Sequence, residues 1–144
     1  MPEIGERHHT THEDGGNDEI DVTALTGRIN YVDRGDASAW DFTITDFPII
    51  GALTDISFAS IVPVGTKRIS ARVQVTSNAV GRLFSLCKKG YTQGYNMAMI
   101  TALVANYSFI MDLEIDLDSN RMASYYLSEN TFTEISIFVR GWWI

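Results

Sequence analysis

From residue 40 onward the chain alternates between apolar and polar positions. Trp40, Phe42 and Ile44 are separated by Asp41 and Thr43, and Pro48 ends the run because proline cannot donate to a strand ladder. The pattern is clearest over residues 67–76, where Ile69, Ala71, Val73 and Val75 alternate with Arg68, Ser70, Arg72, Gln74 and Thr76. It returns as Phe109, Met111, Leu113, Ile115 and Leu117 against Asp112, Glu114 and Asp116, and as Ile135, Ile137 and Val139 against Glu134, Ser136 and Arg140. A period of two places one set of side chains on a core and the other in water, so these segments are expected to be half-buried strands.

Turn-forming clusters separate them: Ser77-Asn78, Lys88-Lys89-Gly90, Asp118-Ser119-Asn120 and Ser128-Glu129-Asn130. Strands of about eight to ten residues at this spacing predict an all-β fold, an antiparallel β-sandwich of jelly-roll type. Residues 97–105 suit either a helical turn or a strand, and are read as a strand. The last strand is expected to run into Trp142 and Trp143, so the tryptophans close the domain and truncation there is costly.

Charge divides the chain. Residues 1–21 hold seven acids against Arg7, whereas the remainder holds eleven acids against ten bases, so nearly all of the net charge of -7 lies in the first segment. From Glu3 to Asp21, Ile4 and Ile20 are the only large apolar residues, too few for a core. The expected organisation is an extended acidic N-terminal arm, residues 1–36, followed by a β-sandwich domain, residues 37–144. The acidic balance and the lack of a basic run longer than Lys88-Lys89 argue against phosphate-mediated nucleic-acid binding. No apolar stretch approaches a membrane span of about 20 residues, and the polar start lacks the basic and apolar blocks of a signal peptide, so neither membrane insertion nor classical secretion is expected. A single cysteine, Cys87, excludes an intrachain disulfide and reads as a small buried hydrophobe.

The residues with chemical potential are few. His8, His9 and His12 are close enough to hold a metal if turned inward, with His8 and His12 the best candidates, but a structural site wants four ligands, and no metal or other cofactor is expected. Arg34-Gly35-Asp36 reads as a turn in which Gly35 supplies backbone freedom. Gly15-Gly16 is a hinge or tight turn, since acids around it would repel phosphate. Asp112, Glu114, Asp116 and Asp118 raise calcium or glycosidase chemistry, but acids on a wet strand face are ordinarily only solvated. Tyr91, Tyr95, Tyr125 and Tyr126 offer flat faces for a glycan, with core or subunit packing as the competing use. No catalytic apparatus is recognisable, and the protein is expected not to be an enzyme.

The arm, His8-His9-Thr10-Thr11-His12-Glu13-Asp14-Gly15-Gly16-Asn17-Asp18-Glu19-Ile20 followed by Leu25-Thr26-Gly27, resembles a segment recurrent in virion fibre and decoration proteins of tailed bacteriophages. The domain end, Asp118-Ser119-Asn120-Arg121 and Phe138-Val139-Arg140-Gly141-Trp142-Trp143, resembles small β domains of phage structural proteins. The resemblance implies a virion accessory protein, commonly trimeric, assembled in the bacterial cytoplasm and fixed to capsid or tail proteins by its arm. On this reading His8, His12, Asp18, Ile20, Val22 and Leu25 make the attachment. The chain lacks long repeats, which favours a short spike, head fibre or decoration protein. A carbohydrate- or receptor-binding module at a tail tip is the alternative, with a host surface glycan as partner.

Overall fold

The computed structural model describes residues 30–144. Eight strands follow in chain order: β1 Tyr31–Asp33, β2 Thr54–Ser57, β3 Arg68–Ser77, β4 Arg82–Lys88, β5 Ala98–Ala102, β6 Ser108–Asp116, β7 Met122–Leu127 and β8 Phe132–Trp143. They form two four-stranded sheets, ordered β1-β8-β3-β6 and β2-β7-β4-β5, and every pairing is antiparallel. Consecutive strands from β1 to β4 and from β5 to β8 change sheets in a Greek-key order. This is the strand order of a jelly roll, and the all-β sandwich expected from the period of two is the fold observed.

The alternation reads through directly in β3, where Ile69, Ala71, Val73 and Val75 are fully buried at the centre of the first sheet. β8 is less simple. Its pairing with β3 slips between Ser70 and Ala71 and again between Thr76 and Ser77, leaving Arg140 and Thr133 as extra residues on β8. Each bulge shifts the inward phase by one, so Phe132, then Ile135, Ile137 and Val139, then Trp142 all face the core. Without the bulge at Arg140, Trp142 would point to solvent.

Between the sheets the interior is filled. Phe84, Leu86, Ile100, Tyr125 and Leu127 of the second sheet meet the first, and Phe47 and Phe58 enter from connections. The Phe47 ring packs edge-on to Phe84 and Tyr125, at centroid separations of 5.5 and 5.0 Å.

Two boundaries differ from expectation. Residues 40–44 are not the first strand. Phe42 makes one bridge to Ile137, and the chain then turns into a 3-10 helix, Ile44–Asp46. The reason is a distant partner: the buried Asp41 carboxylate accepts the Val139 N–H at 2.7 Å and pairs with Arg34, so a side chain stands in for a strand ladder. Thr43 N–H then donates to Asp46 at 2.8 Å, which favours the turn. The first strand is instead Tyr31–Asp33, six or so residues inside what the charge pattern assigned to the arm. It pairs with the end of β8, so the sandwich begins before residue 37. Two of the four turn clusters fall between strands and the other two begin on the last residue of a strand, Ser77 of β3 and Lys88 of β4; residues 97–105 contain β5, and Cys87 is buried in β4.

Candidate functional site

The two open margins of the sandwich are unequal. On one side the sheets end in β1 and β2, of three and four residues. Edge strands this short expose little unpaired backbone. On the other side they end in β5 and the nine-residue β6, which follow one another in the chain. β6 pairs only with β3 among the described residues, so its far row of N–H and C=O groups faces outward.

This long margin is apolar over half its length. Met99, Leu103 (67% exposed), Val104, Tyr107 (60%), Ile110 (57%) and Met111 all lie in β5, the β5–β6 connection and the first half of β6. Cross-strand register explains Ile110: opposite Gln74, it belongs to the outer face of the first sheet. Met111 is on the inward register opposite Val73, yet remains 43% exposed at the open edge. Isolated exposed hydrophobes are ordinary, but a run of them on a long strand edge marks a contact surface.

The other half of β6 is charged in a controlled way. Asp112 accepts two hydrogen bonds from Arg72, at 2.8 and 2.9 Å, and a third from Arg140 at 2.8 Å. Arg68 joins Asp116 at 2.6 Å and Glu114 at 3.2 Å. The Arg72 hydrogen bonds, with help from its charge and from Arg140, hold the Asp112 carboxyl below its usual range against a smaller desolvation. A glycosidase acid needs a carboxyl pushed the other way. Asp118, the fourth acid, accepts the N–H groups of Asn120 and Met122 at 2.9 and 2.7 Å and so closes a turn. Arg121 beside it donates to the carbonyls of Ala59 and Val62, both at 3.0 Å. These acids form a cross-strand ladder and a cap rather than a reaction centre.

Of the residues singled out for attachment and metal binding, His8, His12, Asp18, Ile20, Val22 and Leu25 lie outside the described residues, as do His9 and Gly15-Gly16. Among the described residues no three His, Cys, Asp or Glu side chains converge to hold a metal ion, and no helix is long and apolar enough to cross a membrane. The four tyrosines do not form one platform. Tyr91 and Tyr95 are exposed in the β4–β5 connection, the latter at 84%. Tyr125 is corrected from a glycan-facing residue to a core residue, 1% exposed, and its hydroxyl accepts the Ile49 N–H at 3.3 Å. Tyr126 points to the opposite face of β7, opposite Ser85. Neighbours in a strand cannot share a face, which alone rules out Tyr125 and Tyr126 acting together.

Arg34-Gly35-Asp36 is a turn, as expected. Gly35 has φ +79°, its N–H donates to Asp33 at 2.7 Å, and Arg34 reaches the Val139 carbonyl at 3.1 Å while lying over the Phe138 ring. The arginine is therefore occupied within the fold.

No family model matches the sequence, and no curated protein matches it. The fold is similar to that in a structure of the Tobacco streak virus coat protein, with a TM-score of 0.36 and 16% sequence identity over 83% of this chain and 85% of that one.

Cys87 is a structural residue. It is 3% exposed, and burial, then the nearby Asp55 charge, push its thiol above the usual value. In the folded protein its reaction with an aromatic disulfide reagent is expected to be at least roughly a hundredfold slower than in denaturant, because access requires local opening. Equal rates in a stopped assay at neutral pH contradict that placement.

Proposed function

We propose that the protein is a structural subunit of a virion, a homotrimeric decoration, head-fibre or spike protein of a tailed bacteriophage. The segment ahead of β1 acts as the attachment arm to capsid or tail proteins, and the jelly roll is displayed outward after assembly in the bacterial cytoplasm. The observation that carries the reading is the apolar β5–β6 margin, the longest open edge of an otherwise filled sandwich. The interior itself supports binding over catalysis, since Ile69, Val73, Phe84, Leu86 and Ile137 occupy the space that ligand-holding jelly rolls leave for a site.

The topology also supports a ring. The chain enters the first sheet at β1, and β6 is the opposite margin of that same sheet. Any contact in which the arm side of one copy meets the β6 side of the next is head-to-tail, and such contacts close into cyclic oligomers when the rotation permits.

At micromolar concentration the full chain is expected to scatter light as a trimer. Ile110→Lys and Met111→Lys together should give monomers that remain folded by circular dichroism, since within the single chain neither side chain is buried, Ile110 being 57% and Met111 43% exposed. A monomeric wild type, with unimpaired particle incorporation after deletion of residues 1–21, overturns the reading.

A further inference from the structure

We propose that the outer face of the first sheet carries a binding trough for a neutral oligosaccharide, formed by Trp40, Phe138 and Tyr31 together with Asp36, Arg72 and Arg140. Nothing in the assembly reading requires this site, and none of the tyrosines singled out from the sequence as glycan platforms belongs to it.

Two depressions meet there. One, of about 300 Å³, is lined by Asp36, Trp40, Arg72 and Phe138, and the other, of about 330 Å³, by Tyr31, Asp33, Asp36, Phe138 and Arg140. They share Asp36 and Phe138, so they form one open trough across β8 and the connection that follows β1. Trp40 is 41% and Tyr31 47% exposed, so each ring presents part of its surface to water. Tyr31 is held in place by Trp143, with ring centroids 4.8 Å apart. The turn at Gly35 sets Asp36 between the two depressions, because the chain reverses there with φ +79°.

The polar groups decide the ligand class. Arg72 and Arg140 both spend hydrogen bonds on Asp112, which orients their planes. Among the described residues this leaves Arg72 Nη1 and Arg140 Nη2 without a side-chain acceptor, available to a ligand. Asp36 and Asp33 supply acceptors a short way along the same trough. Donors and acceptors therefore alternate, and a sugar hydroxyl, which both donates and accepts, matches that alternation. Net charge does not favour the anionic competitors. The two lining guanidiniums of Arg72 and Arg140 are balanced by the lining carboxylates of Asp33 and Asp36, and both arginines are already paired with Asp112, so the trough offers no net positive charge to draw a phosphate, sulfate or sialic acid. Trp40 and Tyr31 provide the apolar faces of sugar-ring contact, while Phe138, covered on one face by Arg34, forms the floor between them.

The test uses the full chain in its native oligomeric state against an array of neutral gluco-, galacto- and manno-oligosaccharides beside sialylated and sulfated ones, followed by calorimetric titration of the best binder. Binding of a neutral oligosaccharide is expected, weakened by about tenfold or more in Trp40→Ala and in Asp36→Asn, and unchanged in Tyr95→Ala. Thermal melting verifies that each variant folds, and if Trp40→Ala does not, Asp36→Asn and Arg72→Gln decide. Absence of neutral-glycan binding, preference for the anionic glycans, or affinity insensitive to the trough variants overturns the proposal.

Discussion

Phe47→Ala is expected to cost about 3–5 kcal/mol, the range for removing a large aromatic from a packed core. Phe47 lies in no strand, yet its ring is the hub between Phe42, Phe84 and Tyr125, at centroid distances of 6.4, 5.5 and 5.0 Å. Its neighbours are anchored in β4 and β7, whose backbones are held by ladder hydrogen bonds, so the site cannot collapse to fill the void. Total stability for a domain of this size is about 5–15 kcal/mol, so the variant sits close to the threshold, and its melting temperature should fall by more than about 10 °C. Val80→Ala, at an exposed turn, is the control and should move the transition by little. A Phe47→Ala protein that melts with the wild type contradicts the central place given to this ring.

Gly141→Ala is the second large effect, and its mechanism is collision. Gly141 lies opposite Asp33 in the β1–β8 pair, where a methyl group would stand 2.5 Å from the Val32 carbonyl oxygen and also press on the Tyr31 phenol. A side chain can swing aside, but a backbone carbonyl in a ladder cannot. β1 is therefore expected to leave the sheet, at a cost of about 1–3 kcal/mol or somewhat more. The readout is amide hydrogen exchange: Asn30 and Arg34, which donate to the Ile144 and Arg140 carbonyls at 3.1 and 2.9 Å, should lose protection while the β3 amides keep theirs. Tyr31→Ala in the same chain relieves only the ring contact, so rescue should be partial. Retained protection at both amides shows that the backbone can absorb the methyl group.

Undocking β1 would also dismantle the trough beside it, because Tyr31, Asp33 and Asp36 are all carried by that strand and the turn after it. Gly141 thereby links the stability of the first sheet to the placement of a surface that it does not itself line.

Much of the fold was legible because burial imposes a period. In β3 the pattern of Ile69, Ala71, Val73 and Val75 survives intact, since a central strand has a neighbour on each side and a sheet above it. β6 carries almost the same pattern, but at the margin Met111 is left exposed. The alternation records which way a side chain points, and it does not record whether anything lies in that direction. The lateral apolar edge was hidden for the same reason: residues 97–105 read simply as a strand, and only the strand order placed β5 and β6 at the open side.

Trp40 and Phe42 show the opposite failure. Their alternation is genuine, but Asp41 can satisfy the Val139 N–H with its side chain, and this contact spans nearly a hundred residues of sequence. Likewise the acids of β6 read as solvated, because Arg68 and Arg72 become their partners only through the β3–β6 register.

By itself, then, the sequence determined the all-β class, the central strands, the turns and the burial of Cys87, all of which follow from local periodicity and turn chemistry. Only the tertiary structure decided which strands are edges, which rings face water, where the β8 bulges reset the phase and which arginine neutralises which acid. Those features depend on pairings between residues distant in the chain, and the free energy of such pairings is set by register and strand order, which no local pattern encodes.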